Sequence, residues 1–439
     1  MRRLLLQELI KWSKRPSRMP LLIRGARQIG KTYVVEQFAA ANFNHHVTIN
    51  FELFPEYKTC FDTLQVDKII QQLGILTGQA IIPGQTLLFL DEIQECPEAI
   101  RALRYFKEQL PELHVIGAGS LLEFALSQAQ FRMPVGRVEF LYLYPMNFTE
   151  FLYALGEDQL VDFLKNVSLT DTIPSALHEH GLAQARLYML LGGMPAVLQS
   201  YLVEQDLQRV QALHMQLLAT YRNDFGKYAS LNAQTYCQAI FNKMPDLIAK
   251  HFKYVDVDPA LDGRSLKNAL NLLVKAGIVS PVKMTQATGL PLNVHVNEKK
   301  FKLLFLDLGL VKAAGKLSAE VLMNTQFLDV RSGALAEQYV GQQLLTLSPS
   351  YTEGELFYWQ RDVRGAQAEV DYVIAYNEHI IPLEVKAGSA GRLRSLQMFL
   401  QEKQSPYGIK ISTDPLKVEK NIIHLPIYLL NELMRLLPN

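Results

Sequence analysis

The octapeptide Gly25-Ala26-Arg27-Gln28-Ile29-Gly30-Lys31-Thr32 has the spacing GxxxxGK[ST], and no other feature restricts the fold of the chain as tightly. It follows the apolar run 21–23 and opens the helical run 33–41, the strand–loop–helix setting that the motif requires. The glycines let backbone N–H groups turn inward around phosphate oxygens, and the helix start adds its positive end. Lys31 is expected to reach the β- and γ-phosphates of ATP, and Thr32 to ligate Mg²⁺. Ala26, Arg27, Gln28 and Ile29 complete the nucleotide-contacting turn.

A second run, TLLFLDE from Thr86 to Glu92, reads as a core strand that emerges into a cleft with two carboxylates at its end. Asp91 is expected to hold Mg²⁺ through water, and Glu92 to orient and polarise the attacking water. Ser120 follows the apolar run 114–117, where it can place a hydroxyl near the γ-phosphate, cap the helix that follows, or do both. Arg137 precedes a fifth strand; it reads either as an arginine finger given to a neighbour or as a surface ion pair.

The strand candidates 21–24, 47–51, 86–90, 114–117 and 139–143 alternate with helical runs, the pattern of a parallel sheet covered by helices. Of the 439 residues, 49% are hydrophobic and 20% charged, enough to bury a large core. The formal charge of +1 excludes a global polycation, so any contact with DNA would need a local basic patch. Cys60, Cys96 and Cys237 are far apart, which argues against a disulfide framework or zinc ribbon and fits a reducing cytoplasm. The start of the chain is basic and then apolar, but Gln7, Glu8 and Lys11 interrupt it, so Leu5, Leu6, Leu9 and Ile10 mark a helix face instead of a signal peptide. No run is long enough to suggest a membrane span, and the chain is expected to be cytoplasmic.

GARQIGKT, LLFLDEIQECPE, GAGSLLEF and GRVEFLYLYPMNFTEF together resemble AAA+-type ATPases of bacteria and archaea that carry a C-terminal domain of unknown function. The resemblance rests on Arg27-Gln28 inside the loop, Gln94 after the acidic pair, and Pro145, Phe148 and Glu150 after the last strand. It continues through GGMPAVL (192–198), YRNDFGKY (221–228) and FKLLFLDLGLV (301–311). It implies ATP and Mg²⁺ as ligands, with self-association or protein partners possible.

The rest of the chain divides into a helical region (151–230), a winged-helix-like unit (231–325) and an α/β domain (326–439), after the N-terminal P-loop sheet (1–150). The winged-helix reading rests on a helix at 265–276, Gly277, and strand-like runs at 278–284 and 292–296. Arg264, Lys267, Lys275 and Lys283 lie near that helix, which would either meet DNA or serve only as a spacer. From about 330 the order is helix, strand, strand, helix, strand. Asp371, a hairpin-length gap, and Glu384-x-Lys386 resemble the PD-(D/E)xK pattern of restriction-endonuclease-like folds, with Val370 where a proline often stands. Under that resemblance Asp371 and Glu384 would share Mg²⁺, Glu337 would add a contact through water, and Lys386 would stabilise an attacking hydroxide. Three readings follow: an ATP-driven protein acting on nucleic acid, a protein-assembly switch that cuts nothing, and a DNA-binding regulator.

Overall fold

The computed structural model describes residues 1–126, 136–315, 332–361, 368–386 and 393–438. Its first layer is a parallel five-stranded sheet built from β1 (Leu21–Arg24), β2 (His45–Asn50), β3 (Thr86–Asp91), β4 (His114–Ala118) and β5 (Glu139–Tyr142). The order across the sheet is β2-β3-β4-β1-β5. β3 and β4 are buried along their whole length, as expected of central parallel strands with near-continuous apolar sequence. α1 (Leu5–Ser13) and α2 (Lys31–Asn42) pack on one side of it, with Leu5, Leu9, Trp12 and Phe38 in the core. α3 (Val66–Thr77) and α4 (Pro97–Gln109) close a second core with β3 residues Leu88 and Leu90. Because the strands are parallel, one edge of the sheet gathers the residues just past or at the ends of β1, β2, β3 and β4: Gly25, Asn50, Asp91 and Ser120. Every strand expected over residues 1–150 is present, with ends displaced by at most two residues.

α5 (Leu122–Leu126) leaves that sheet, and α6 (Phe148–Leu155) begins the helical region. α6 starts with a capping box in which Asn147 and Glu150 satisfy each other's backbone N–H groups. α7 (Asp158–Asn166), α8 (Ser175–Leu191), α9 (Pro195–Glu204), α10 (Leu207–Tyr228) and α11 (Leu231–Leu247) follow. The Gly192–Gly193 turn between α8 and α9 packs on the buried Asp307, whose Oδ2 accepts the Gly193 N–H at 2.6 Å.

α12 (Gly263–Lys275) buries Leu266, Ala269, Leu270 and Leu273, and turns through Gly277 into β6 (Val279–Thr285). The expected strand at 292–296 is instead a 3-10 turn, Leu292–His295, and the partner strand β7 runs over Val296–Phe305. The β6–β7 hairpin does not stand alone. β6 pairs in parallel with β8 (Leu356–Gln360), so the winged-helix-like unit and the C-terminal region share one sheet. An unpaired β6 edge would leave a row of backbone donors and acceptors open, and β8 satisfies them. The boundary expected at 325/326 falls outside the described residues.

α13 (Leu308–Ala314) and α14 (Ser332–Leu347) lead into the remaining strands: β9 (Glu369–Tyr376), β10 (His379–Val385), β11 (Gly408–Ser412), β12 (Lys417–Glu419) and β13 (Ile422–Pro426), with α15 (Arg394–Lys403) between β10 and β11. This eight-stranded mixed sheet has the order β12-β13-β11-β10-β9-β8-β6-β7. It carries more strands than expected from sequence. The N-terminal sheet is tied to this half by Tyr142 N–H donating to Ser350 O at 2.7 Å. No helix among the described residues is long and apolar enough to cross a membrane.

Candidate nucleotide site and C-terminal acidic cluster

Gly25 and Gly30 shape the loop between β1 and α2, with φ of 142° and 93°. A Cβ at Gly25 would lie 2.2 Å from the carbonyl oxygen of Leu143, so only glycine fits there. Gln28 also takes a left-handed conformation, φ 62°. The buried Lys31 ammonium donates to the loop carbonyls of Gly25 (3.0 Å) and Ala26 (2.7 Å). Burial lowers its pKa to about 8, against the opposing pull of Glu92 and Asp91, and nearby Arg27 lowers it further. Negative phosphate charge would reverse that trend.

Thr32 and Asp91 meet as expected. The Thr32 hydroxyl donates to Asp91 at 3.2 and 3.1 Å, and Asn50 Nδ2 donates to Asp91 Oδ2 at 3.0 Å. Burial and then Glu92 raise the Asp91 pKa. A hydroxyl facing a buried carboxylate that resists charge is a donor set suited to Mg²⁺, which would relieve both penalties. Glu92 follows β3 in a left-handed conformation, φ 50°, uncommon for a residue with a side chain. Its Oε2 accepts from Gln94 Nε2 at 2.7 Å, and from the Ser120 N–H and hydroxyl at 3.4 Å. Ser120 thus sits beside the acidic pair.

The loop is also gripped from outside. Tyr221 donates its hydroxyl to the Arg27 carbonyl at 2.7 Å, and Arg27 Nη1 lies 2.6 Å from Asp224 Oδ1, both on α10. Arg27 Nη2 is 3.4 Å from Glu52, which Lys227 of α10 also holds, at 2.7 Å. On the other side buried Arg3 donates to the Ile29 carbonyl and the Tyr144 carbonyl, each at 2.7 Å, and to Glu150 at 3.1 Å. Glu150 therefore supports the loop indirectly. Arg3, Asn50, Tyr221 and Asp224 were not legible as site residues; only the YRNDFGKY run marked two of them, through its resemblance.

Arg137 lies elsewhere. It precedes β5, whose Glu139 is in register with Leu21 at the start of β1, the end of the sheet opposite the phosphate loop. Its Nε pairs with Glu108 at 3.1 Å on the surface. It does not belong to the nucleotide site of its own chain.

The C-terminal residues come together across β9 and β10. Val385 N–H donates to Asp371 Oδ2 at 2.8 Å, and Lys386 Nζ pairs with Glu384 Oε1. Among the described residues the other Glu384 oxygen is buried without a hydrogen-bond partner. Glu337, on α14, joins through a residue that sequence reasoning missed. Buried Lys302 of β7 lies 3.3 Å from Glu337, 2.6 Å from Glu369 and 4.0 Å from Asp371. His251 Nε2 donates to the Glu369 carboxylate at 2.6 Å, and its Nδ1 contacts the Tyr358 hydroxyl at 3.0 Å. Burial, then Asp371, raises Glu337 to about 8 and Glu384 to about 7. Burial alone would raise Glu369 too, but His251 and Lys302 hold it at about 2. Among the described residues no three His, Cys, Asp or Glu side chains are gathered closely enough to hold a metal ion. Lys302 supplies positive charge inside the cluster itself. Of the basic residues near α12, Lys283 is paired with Glu355 at 2.9 Å.

Residues 17–152 match the family described as an AAA domain. Residues 182–321 and 332–430 match two families described as domains of unknown function, DUF8612 and DUF4143. No curated protein matches the chain. Similar solved structures include the Walker-type ATPase PABY2304 of Pyrococcus abyssi, at 15% identity and TM-score 0.44, covering 71% of this chain and 94% of that one. The Aeropyrum pernix ORC2 protein, solved in ADPNP–ADP complexes, is similar at 12% identity and TM-score 0.33, over 71% of this chain and 90% of that one. Domain III of the Thermotoga maritima replication initiation protein DnaA is similar at 15% identity and TM-score 0.25, over 52% of this chain and 86% of that one. Residues 17–152 are thus similar to AAA domains, and the two regions that follow match families with no assigned activity.

Proposed function

We propose that the chain binds and hydrolyses ATP as a switch whose nucleotide state is passed to its C-terminal half. The observation that carries this is the convergence of Thr32, Asp91 and Glu92 at one strand edge, with Glu92 held by Gln94 and Ser120. Thr32 and Asp91 would hold Mg²⁺, which shields the phosphate charges. Lys31 and the loop N–H groups bind the phosphates, and Glu92 takes up the proton of the attacking water. Phosphate release from ATP by the purified chain, with Mg²⁺ and with EDTA, tests the reading. Mg²⁺-dependent release supports it, and none under either condition overturns it.

Arg137 would complete a neighbouring copy's site, since it precedes β5 at the end of the sheet opposite its own phosphate loop. Mixing Arg137→Ala with Lys31→Ala protein should then restore part of the ATPase activity, because intact Lys31 and intact Arg137 meet in mixed sites. Wild-type turnover in Arg137→Ala, linear in protein concentration, would leave Arg137 as a surface ion pair.

A second reading has one specific observation in its favour. The oxygen of Glu384 that is buried without a partner among the described residues lies beside Asp371 and Lys386, and a divalent ion bound to a phosphodiester of DNA would satisfy it. In this reading the C-terminal half acts on nucleic acid. Asp371→Ala and Lys386→Ala should each abolish Mg²⁺- or Mn²⁺-dependent cutting of DNA while ATP turnover persists. DNA left neither cut nor bound by the wild-type chain would leave a protein-assembly switch.

A further inference from the structure

We propose that Arg27 and Asp224 are the pair that distinguishes ATP from ADP: Asp224 holds the loop arginine away from the phosphates, and only the terminal phosphate of ATP draws it off. The inference rests on the ATP-binding reading above and adds to it the element that reads the nucleotide.

Arg27 is a long cation in the middle of the turn between Gly25 and Gly30, and its backbone is inside the phosphate loop. Its guanidinium nevertheless points to two carboxylates outside that loop, Asp224 at 2.6 Å and Glu52 at 3.4 Å. Asp224 is buried, and its partner is only one-quarter exposed. Such a charge-assisted contact is strong, and anything that displaces it must offer comparable negative charge. A γ-phosphate beside Lys31 does so. ADP, one phosphate shorter, does not. That Arg27 already depresses the Lys31 ammonium shows that the two cations share one electrostatic neighbourhood.

The placement of Asp224 gives the exchange a consequence. Tyr221, Asp224 and Lys227 are three residues apart in succession, so one face of α10 meets the site. Tyr221 holds the loop backbone at Arg27, and Lys227 holds Glu52, two residues beyond the Asn50 that orients Asp91. α10 thus touches both halves of the nucleotide site. It also reaches the C-terminal half: buried His214 Nε2 donates to the Leu191 carbonyl at 2.9 Å, beside the Gly192–Asp307 contact. Release of Arg27 would loosen one end of a helix whose other contacts lie on α9, α11 and α13.

The pair makes a quantitative prediction, because ATP must break the ion pair and ADP need not. In Asp224→Asn, ATP should bind about fivefold more tightly while ADP affinity stays unchanged. Asp224→Glu should restore the wild-type ratio, and Arg27→Gln should bring ATP and ADP to nearly equal affinity. The measurement is titration calorimetry of each protein with Mg²⁺-ATP and Mg²⁺-ADP, with the thermal midpoint of each variant recorded as a check on folding. Equal weakening of both nucleotides in Asp224→Asn, or an ATP:ADP ratio that stays at the wild-type value, would reduce the ion pair to structural support and overturn the proposal. A wild-type chain that binds neither nucleotide would instead overturn the ATP-binding reading itself.

Discussion

Glu92→Gln should lower the turnover of ATP by roughly 10²–10⁴-fold and leave ATP binding intact. The substitution removes the carboxylate that takes up a proton from water but keeps an oxygen for the Gln94 and Ser120 donors, which both meet Glu92 Oε2. The hydrogen bonds of the phosphate loop are kept, because among the described residues none of them runs to Glu92. Steady-state phosphate release, set beside ATP affinity from calorimetry, separates the two effects. Turnover within threefold of wild type would move the water-activating role away from Glu92. A parallel loss of affinity would mean that the left-handed backbone at Glu92, φ 50°, was disturbed instead.

Lys302→Met should destabilise the chain by about 3–5 kcal/mol, because it leaves buried carboxylates without their cation. Lys302 is the shared partner of Glu337 and Glu369, and its side chain is 5% exposed. Its charge is favoured by Glu337, Glu369 and Asp371 against the cost of burial. The pH dependence has a definite sign. Glu369, held at about 2 in the folded chain against an ordinary 4.5, contributes stability that is present above the ordinary value and lost as pH falls towards 2. Without Lys302 that acid-labile contribution should shrink. Urea midpoints at pH 7 and pH 4 measure both effects. A shift at pH 7 below about 1 kcal/mol would mean that the cluster is wet enough to ionise independently.

What the sequence disclosed followed from local pattern. Strand–GxxxxGK[ST]–helix fixed the phosphate loop, and an apolar run ending in Asp91-Glu92 placed the acidic pair at the same sheet edge. Alternation on β9 and β10 brought Asp371 beside Glu384 and Lys386. What stayed hidden depends on tertiary approach. Asp224 is 197 residues from Arg27, and Arg3 is 26 residues from Ile29 across two turns of chain, so no periodicity links them. Lys302 sits in a strand whose alternation would have been read as a solvent-facing lysine between Phe301 and Leu303; only the β6–β8 pairing carries it over the acidic residues. Of the hairpin read as a wing only the first strand was visible; its partner was expected at 292–296 instead of Val296–Phe305, and its addition to the C-terminal sheet was hidden, because strand partners are not encoded in either strand alone.

The central claim is that the loop around Lys31 binds ATP, and titration of wild-type and Lys31→Ala proteins with Mg²⁺-ATP addresses it most directly. Among the described residues Lys31 donates to the loop carbonyls of Gly25 and Ala26, so phosphate would draw its ammonium at the cost of two hydrogen bonds to neutral acceptors. The wild-type chain should take up one ATP per chain, and Lys31→Ala should bind it about 10- to 100-fold more weakly, the loss of one charged hydrogen bond. Equal affinity in the two proteins, or no saturable uptake by the wild-type chain, would contradict the claim.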